Sequence, residues 1–212
     1  MPDIIGSALA TDGIWWLMGA VFIAGLVRGF SGFGSAMIIM SVASSVLSPI
    51  AAVTFLVLAE IPGPLPNLPS ALRDGTPKDA LRLLLGAALA LPVGLSLLSV
   101  IAPDMFAILV SCVVIILLAL TMTGWRYRGV LHPRLISAVG AAGGFLGGLA
   151  GIAGPPVIMF YLSTPLPAKT IRANLLLYLL GFDLLLLPIL YFLDGFMIEI
   201  AVLGLIAGIP NV

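Results

Sequence analysis

Gly25-Leu-Val-Arg-Gly-Phe-Ser-Gly-Phe-Gly-Ser-Ala-Met-Ile-Ile-Met40 returns later in the chain as Gly144-Phe-Leu-Gly-Gly-Leu-Ala-Gly-Ile-Ala-Gly-Pro-Pro-Val-Ile-Met159. A gapless overlay sets Gly25 on Gly144, Gly29 on Gly148, Gly32 on Gly151, Ile39 on Ile158 and Met40 on Met159. Each copy is an apolar run interrupted by glycine. Paired interruptions of this kind, one in each half of a membrane chain, are the sequence mark of a site built between two broken helices.

The rest of the chain fits a membrane setting. Of its 212 residues, 61% are hydrophobic and 8% charged, with a mean hydropathy of +1.26. A water-facing surface needs more polar cover than that, so the lipid bilayer is the solvent. Zero net charge excludes a broad basic face, and so a nucleic-acid partner. One cysteine, Cys112, forms no internal disulfide and reads as a small packing hydrophobe. With a single histidine beside it, a His/Cys metal site is excluded, and no cofactor is expected. The N-terminus carries Asp3 and Asp12 rather than a basic signal region, so the first retained membrane helix starts at Ile14.

Apolar segments cover roughly Ile14–Val27, Ser35–Leu47, Ala51–Leu68, Ala80–Ile101, Met105–Trp125, Leu135–Leu149, Pro156–Leu162, Ile171–Leu193 and Phe196–Pro210. The fold class is therefore an all-α polytopic membrane protein. Loop charges sort by sign. Arg73, Lys78 and Arg82 flank one loop and Arg126, Arg128 and Arg134 another, whereas the tail, the Ala102–Asp104 turn and the Asp194–Glu199 turn carry acids alone. The positive-inside rule puts the first group in the cytoplasm and the N-terminus outside. The first copy of the motif then begins outside and the second inside, which makes the two repeats inverted.

With a one-residue shift the likeness continues: Pro49 meets Pro167, Leu58 meets Leu176, Gly86 meets Gly204 and Pro92 meets Pro210. Residues 1–13 read as an extracytoplasmic tail, 14–125 as the first repeat, 126–134 as a cytoplasmic linker and 135–212 as the second repeat. The second has no counterpart for Gly94–Trp125, so it is expected to be incomplete.

A helix that restarts after a break inside the bilayer aims its free amides and positive end at whatever fills the gap. That makes a site for a small anion without a formal charge. Ser31, Gly32, Gly34 and Ser35 are its candidates on the first break; Gly151, Ala153, Gly154, Pro155 and Pro156 are those on the second. Alternatively, the glycines only let helices pack closely. Ser31 and Ser35 are hydroxyl donors, with Thr54 one helix away, unless they bond their own helix carbonyls. Arg28, Arg172 and Asn174 could attract the anion; the plainer role for the arginines is snorkelling to the cytoplasmic interface. Glu60 and Asp183 are the carboxylates deep in apolar runs. An ionised acid is expensive there, so both are candidates for proton coupling or for a paired structural role.

Gly29-Phe-Ser-Gly-Phe-Gly-Ser35 and Gly147-Gly-Leu-Ala-Gly-Ile-Ala-Gly-Pro-Pro156 resemble the sulfite exporter TauE/SafE family, over most of the chain from about Leu17 onward. The resemblance implies a carrier in the bacterial inner membrane that exports sulfite or a small organosulfonate. Two departures stand against it: Phe33 and Ala36 where glycines are usual, and the missing last span. Gly29-Phe-Ser-Gly32 also has the form of an intramembrane serine protease nucleophile, yet the second copy places Ala150 at the serine, and the sole histidine, His132, lies in a basic loop. An anion channel would line its path with charged rings, and none is visible. A homodimer is compatible with the sequence.

Overall fold

The computed structural model describes residues 13–31, 34–123, 132–192 and 198–209. Among them are α1 (Ile14–Ser31), α2 (Ser35–Val46), α3 (Pro49–Glu60), a 3₁₀ turn (Leu65–Asn67), α4 (Leu68–Asp74), α5 (Pro77–Ser99), α6 (Pro103–Met122), α7 (Pro133–Ala150), α8 (Gly154–Leu162), α9 (Ala168–Phe192) and α10 (Ile198–Gly208). No strand occurs among the described residues. Proline opens α3, α5, α6 and α7, where its missing N–H has no helical partner to lose.

Among the described residues, three helices are long and apolar enough to cross a membrane: Pro77–Ser99, Pro103–Leu120 and Ala168–Phe192. The pair α3 and α4 meets the same test as one span bent by 47°. The sequence reads as an unbroken segment there, Ala51–Leu68, but Ile61-Pro-Gly-Pro64 stops the helix directly after Glu60. Two prolines and a glycine in four residues cannot sustain the hydrogen-bond ladder.

Large apolar side chains cover the outside. Phe22 and Phe30 of α1, Leu85 and Leu89 of α5, and Ile115 and Ile116 of α6 are all exposed. Water would not tolerate that surface; hydrocarbon does. Trp15 and Trp16 stand exposed at the start of α1, where aromatic residues anchor a helix at the membrane interface. Cys112 is exposed on α6, so it faces outward rather than packing inside as the sequence suggests.

Helices α5 and α7 form the tightest contact. A Cβ on Gly140 would strike Leu83, one on Gly144 would lie 2.5 Å from Ala87 Cα, and one on Gly148 would lie 2.6 Å from Leu91 O. The partners advance by four residues on both helices, so the two run parallel. A helix without side chains along this seam lets the neighbouring backbone approach, the usual route to association inside lipid. Parallel α5 and α7 also require that α6, between them in the chain, return it to the starting side. Most packing pairs come twice, as a repeat demands: α1 on α2 and α7 on α8, α2 on α3 and α8 on α9, α5 on α9 and α10 on α3, α5 on α7 and α10 on α1.

The seam yields a direct test. Gly144→Ala puts a methyl group against backbone that cannot rotate away, and should cost about 1–3 kcal/mol. Gly19→Ala, where a Cβ has nothing within 4 Å, should change stability by less than about 0.5 kcal/mol. Thermal unfolding of the detergent-solubilised protein compares them, and equal midpoints would refute the seam.

Candidate functional site

Two helices restart inside the protein, α2 after Gly34 and α8 after Ala153. Gly34 has φ +94° and Gly151 φ +73°. An L-residue with a side chain pays roughly 1–2 kcal/mol in that left-handed region, which accounts for glycine at both. At the second break the Gly151 N–H donates to Gly147 O (2.9 Å) and the Ile152 N–H to Leu146 O (3.4 Å), closing off the carbonyls of α7. Neither α2 nor α8 has a side-chain cap at its start.

Both starts open on one small cavity of about 40 Å³, between residues of α1, α2, α3, α8, α9 and the turn before α8. A water needs about 10–15 Å³ by this measure, so roughly three waters would fit. The two helix starts contribute unequally. Ser35, Ala36 and Met37 line the cavity from the first turn of α2. In α8, Pro155 and Pro156 have no N–H, which leaves the Gly154 amide alone in the first three positions.

The walls are mainly apolar, with a cluster of charged groups. Glu60, the last residue of α3, accepts a hydrogen bond from Ser35 Oγ. Arg28 Nη1 of α1 stands 3.7 Å from Glu60 Oε1, close enough for an ion pair but too far for a hydrogen bond. That Nη1 is buried and makes no hydrogen bond. Asp183 of α9 is buried and lies within electrostatic reach of both Glu60 and Arg28. Elsewhere on α9, the Tyr178 hydroxyl is buried against Gly143 of α7 without a hydrogen-bond partner.

Of the sequence candidates, the fold brings Arg28, Gly34, Ser35, Glu60, Gly151, Ala153, Gly154, Pro155 and Asp183 to this cavity. Arg28 is thus paired within the protein rather than snorkelling to an interface. Pro156, one residue further along the helix, is not among the residues lining the cavity. Gly32 and the Ser31 side chain lie outside the described residues. Asn174 is also elsewhere. Its Oδ1 accepts from the Thr76 N–H (2.6 Å) and the Thr76 hydroxyl (3.0 Å), which ties α9 to the turn before α5. Arg172 is exposed and lines a different, larger hollow. Thr54 bonds its own helix at Ile50 O, 2.8 Å away. His132 caps α7 by accepting from the Arg134 N–H at 3.3 Å. The alignment that pairs Gly29 with Gly148 also pairs different jobs: a Cβ on Gly29 would meet nothing, while Gly148 is pressed against α5.

Broken helices around a partly charged cavity, inside an all-α bundle with a lipid-facing exterior, define a multi-pass membrane protein of the transporter class. The family model of the sulfite exporter TauE/SafE matches residues 17–211, and the chain belongs to that family. No curated protein and no solved structure gives a match. At family level it is a membrane anion exporter rather than an enzyme, which disfavours the protease reading of Ser31.

Among the described residues, Arg28 is the one cation lining this cavity. Arg28→Leu leaves Glu60 and Asp183 uncompensated and should lower stability by about 3 kcal/mol. Adding Asp183→Asn should recover a measurable part of that loss. If the two effects simply sum in thermal unfolding, the three groups are not one electrostatic unit.

Proposed function

We propose that this chain is a secondary carrier that exports sulfite or a small organosulfonate across the bacterial inner membrane, with its N-terminus on the extracytoplasmic side. The anion rests in the small cavity between the starts of α2 and α8. One observation carries this reading: the two glycine breaks of the sequence repeat open on the same cavity, and Arg28 lines it. Helix starts supply amide donors and a positive end, which suit an oxyanion. Ser35 supplies a hydroxyl once it turns from Glu60.

Charge counting supports proton coupling. Arg28 with Glu60 and Asp183 sums to one excess negative charge when all three are ionised, an arrangement that repels an anion. One proton on either carboxylate makes the set neutral, and a second makes it cationic. Anion and proton therefore bind together, and each favours the other by linkage. Alternating access follows if the broken-helix elements rock against the rest of the bundle and open the cavity to one face at a time.

Proteoliposome flux tests the proposal. Sulfite or methanesulfonate flux should saturate with concentration and carry a pH change. Methanesulfonate keeps a fixed charge, so its apparent affinity should fall as pH rises, by up to about tenfold per pH unit for one linked proton. Glu60→Gln with Asp183→Asn should flatten that dependence. Non-saturating flux, or a slope unchanged in the double variant, would reject the coupled carrier.

A further inference from the structure

The larger hollow, about 630 Å³, is open at the end of the molecule where α1 finishes and α9 begins. Among the described residues its lining includes Arg28 of α1, Arg73 of α4, and Lys169 and Arg172 of α9, against one carboxylate, Asp74. Asp74 is already engaged, with Lys169 Nζ at 3.1 Å and Arg73 Nε at 3.4 Å. Arg172 makes no ion pair among the described residues. The hollow therefore keeps a net positive charge, on the side that the basic loops assign to the cytoplasm.

Two residues, Arg28 and Leu179, line both this hollow and the small cavity. They form the wall between them. Arg28 is held loosely: its guanidinium is at ion-pair but not hydrogen-bond distance from Glu60, and Nη1 has an unused donor. The α3–α4 break spans the same wall, with Glu60 on the cavity side and Gly63 and Pro64 on the hollow side.

We infer that the cationic hollow is the antechamber from which the anion reaches the small cavity, and that Arg28 conducts it across the wall by exchanging Glu60 for the anion. The inference rests on the carrier reading and adds to it the route, the side and the selecting residues. A basic funnel with low-dielectric walls concentrates small anions and speeds their arrival. Arg172, unpaired at its rim, is the first cation the anion meets; Arg28 is the last.

Ser70 is exposed in the hollow and provides a reporter. Ser70→Cys in a Cys112→Ala background gives one thiol for labelling in neutral-lipid vesicles. Anionic and cationic methanethiosulfonate reagents are compared, each normalised to its rate with a free thiol. The anionic reagent should be favoured by about tenfold at low ionic strength. The preference should fade near 1 M salt, where the screening length is about 3 Å, and shrink when Arg172→Gln is added. In flux from the hollow's face, Arg172→Gln should raise KM about threefold or more and leave maximal rate intact, the signature of lost recruitment. Equal labelling rates alongside saturable flux would overturn the antechamber and leave the carrier standing. Protection of the thiol by anionic but not neutral lipid would overturn it too, because a headgroup would then own the hollow. A labelling preference without flux of any anion would overturn the carrier reading and the antechamber with it.

Discussion

A helix that begins inside a bilayer leaves amides that hydrocarbon cannot satisfy, and the protein must supply something polar in front of them. Here this happens twice, at Gly34 and after Gly151, and both openings face one small cavity. The arrangement of the other elements follows from that need. α3 and α9 bring Glu60 and Asp183 to the cavity, and α1 brings Arg28. The outer helix α6 packs on α2 and otherwise shows an apolar exterior.

Burying two carboxylates and one guanidinium in apolar surroundings is costly, and the pairing here is incomplete. Glu60 has Ser35 and a distant Arg28; Asp183 has electrostatic neighbours but no hydrogen bond among the contacts described. A stability role would be better served by apolar side chains of similar volume. Groups retained at such cost and left partly unsatisfied are suited to exchanging partners, which is the property the proposed carrier needs.

Much of this was legible in the chain. Apolar runs and glycine breaks marked the helices and both openings, since lipid allows few alternatives to a helix and glycine marks where it stops. Glu60 and Asp183 were visible as acids stranded in apolar runs. The bend after Glu60 was less so, although Pro62, Gly63 and Pro64 carried the signal, because hydropathy continues smoothly across it. The placement of Arg172 and Asn174 was not legible at all. They are two residues apart on α9, and a helix turns by about 200° over two residues, which sends one outward and the other into the Thr76 turn. Arg28 looked like an interfacial arginine because nothing in sequence places Glu60 beside it.

The two copies of the motif have also diverged in what holds them. In the second, Gly140, Gly144 and Gly148 lock α7 against α5 with backbone nearly touching backbone, and prolines stiffen the start of α8. In the first, Gly29 of α1, the counterpart of Gly148, meets nothing, and the start of α2 keeps its amides. Shifting α7 would pull apart an interdigitated seam, while α1 packs through side chains such as Leu17, Val21 and Ala24 rather than through touching backbone. Of two broken-helix elements around one cavity, the second is thus held by backbone contact and the first by side chains, and it is the first that bears Arg28.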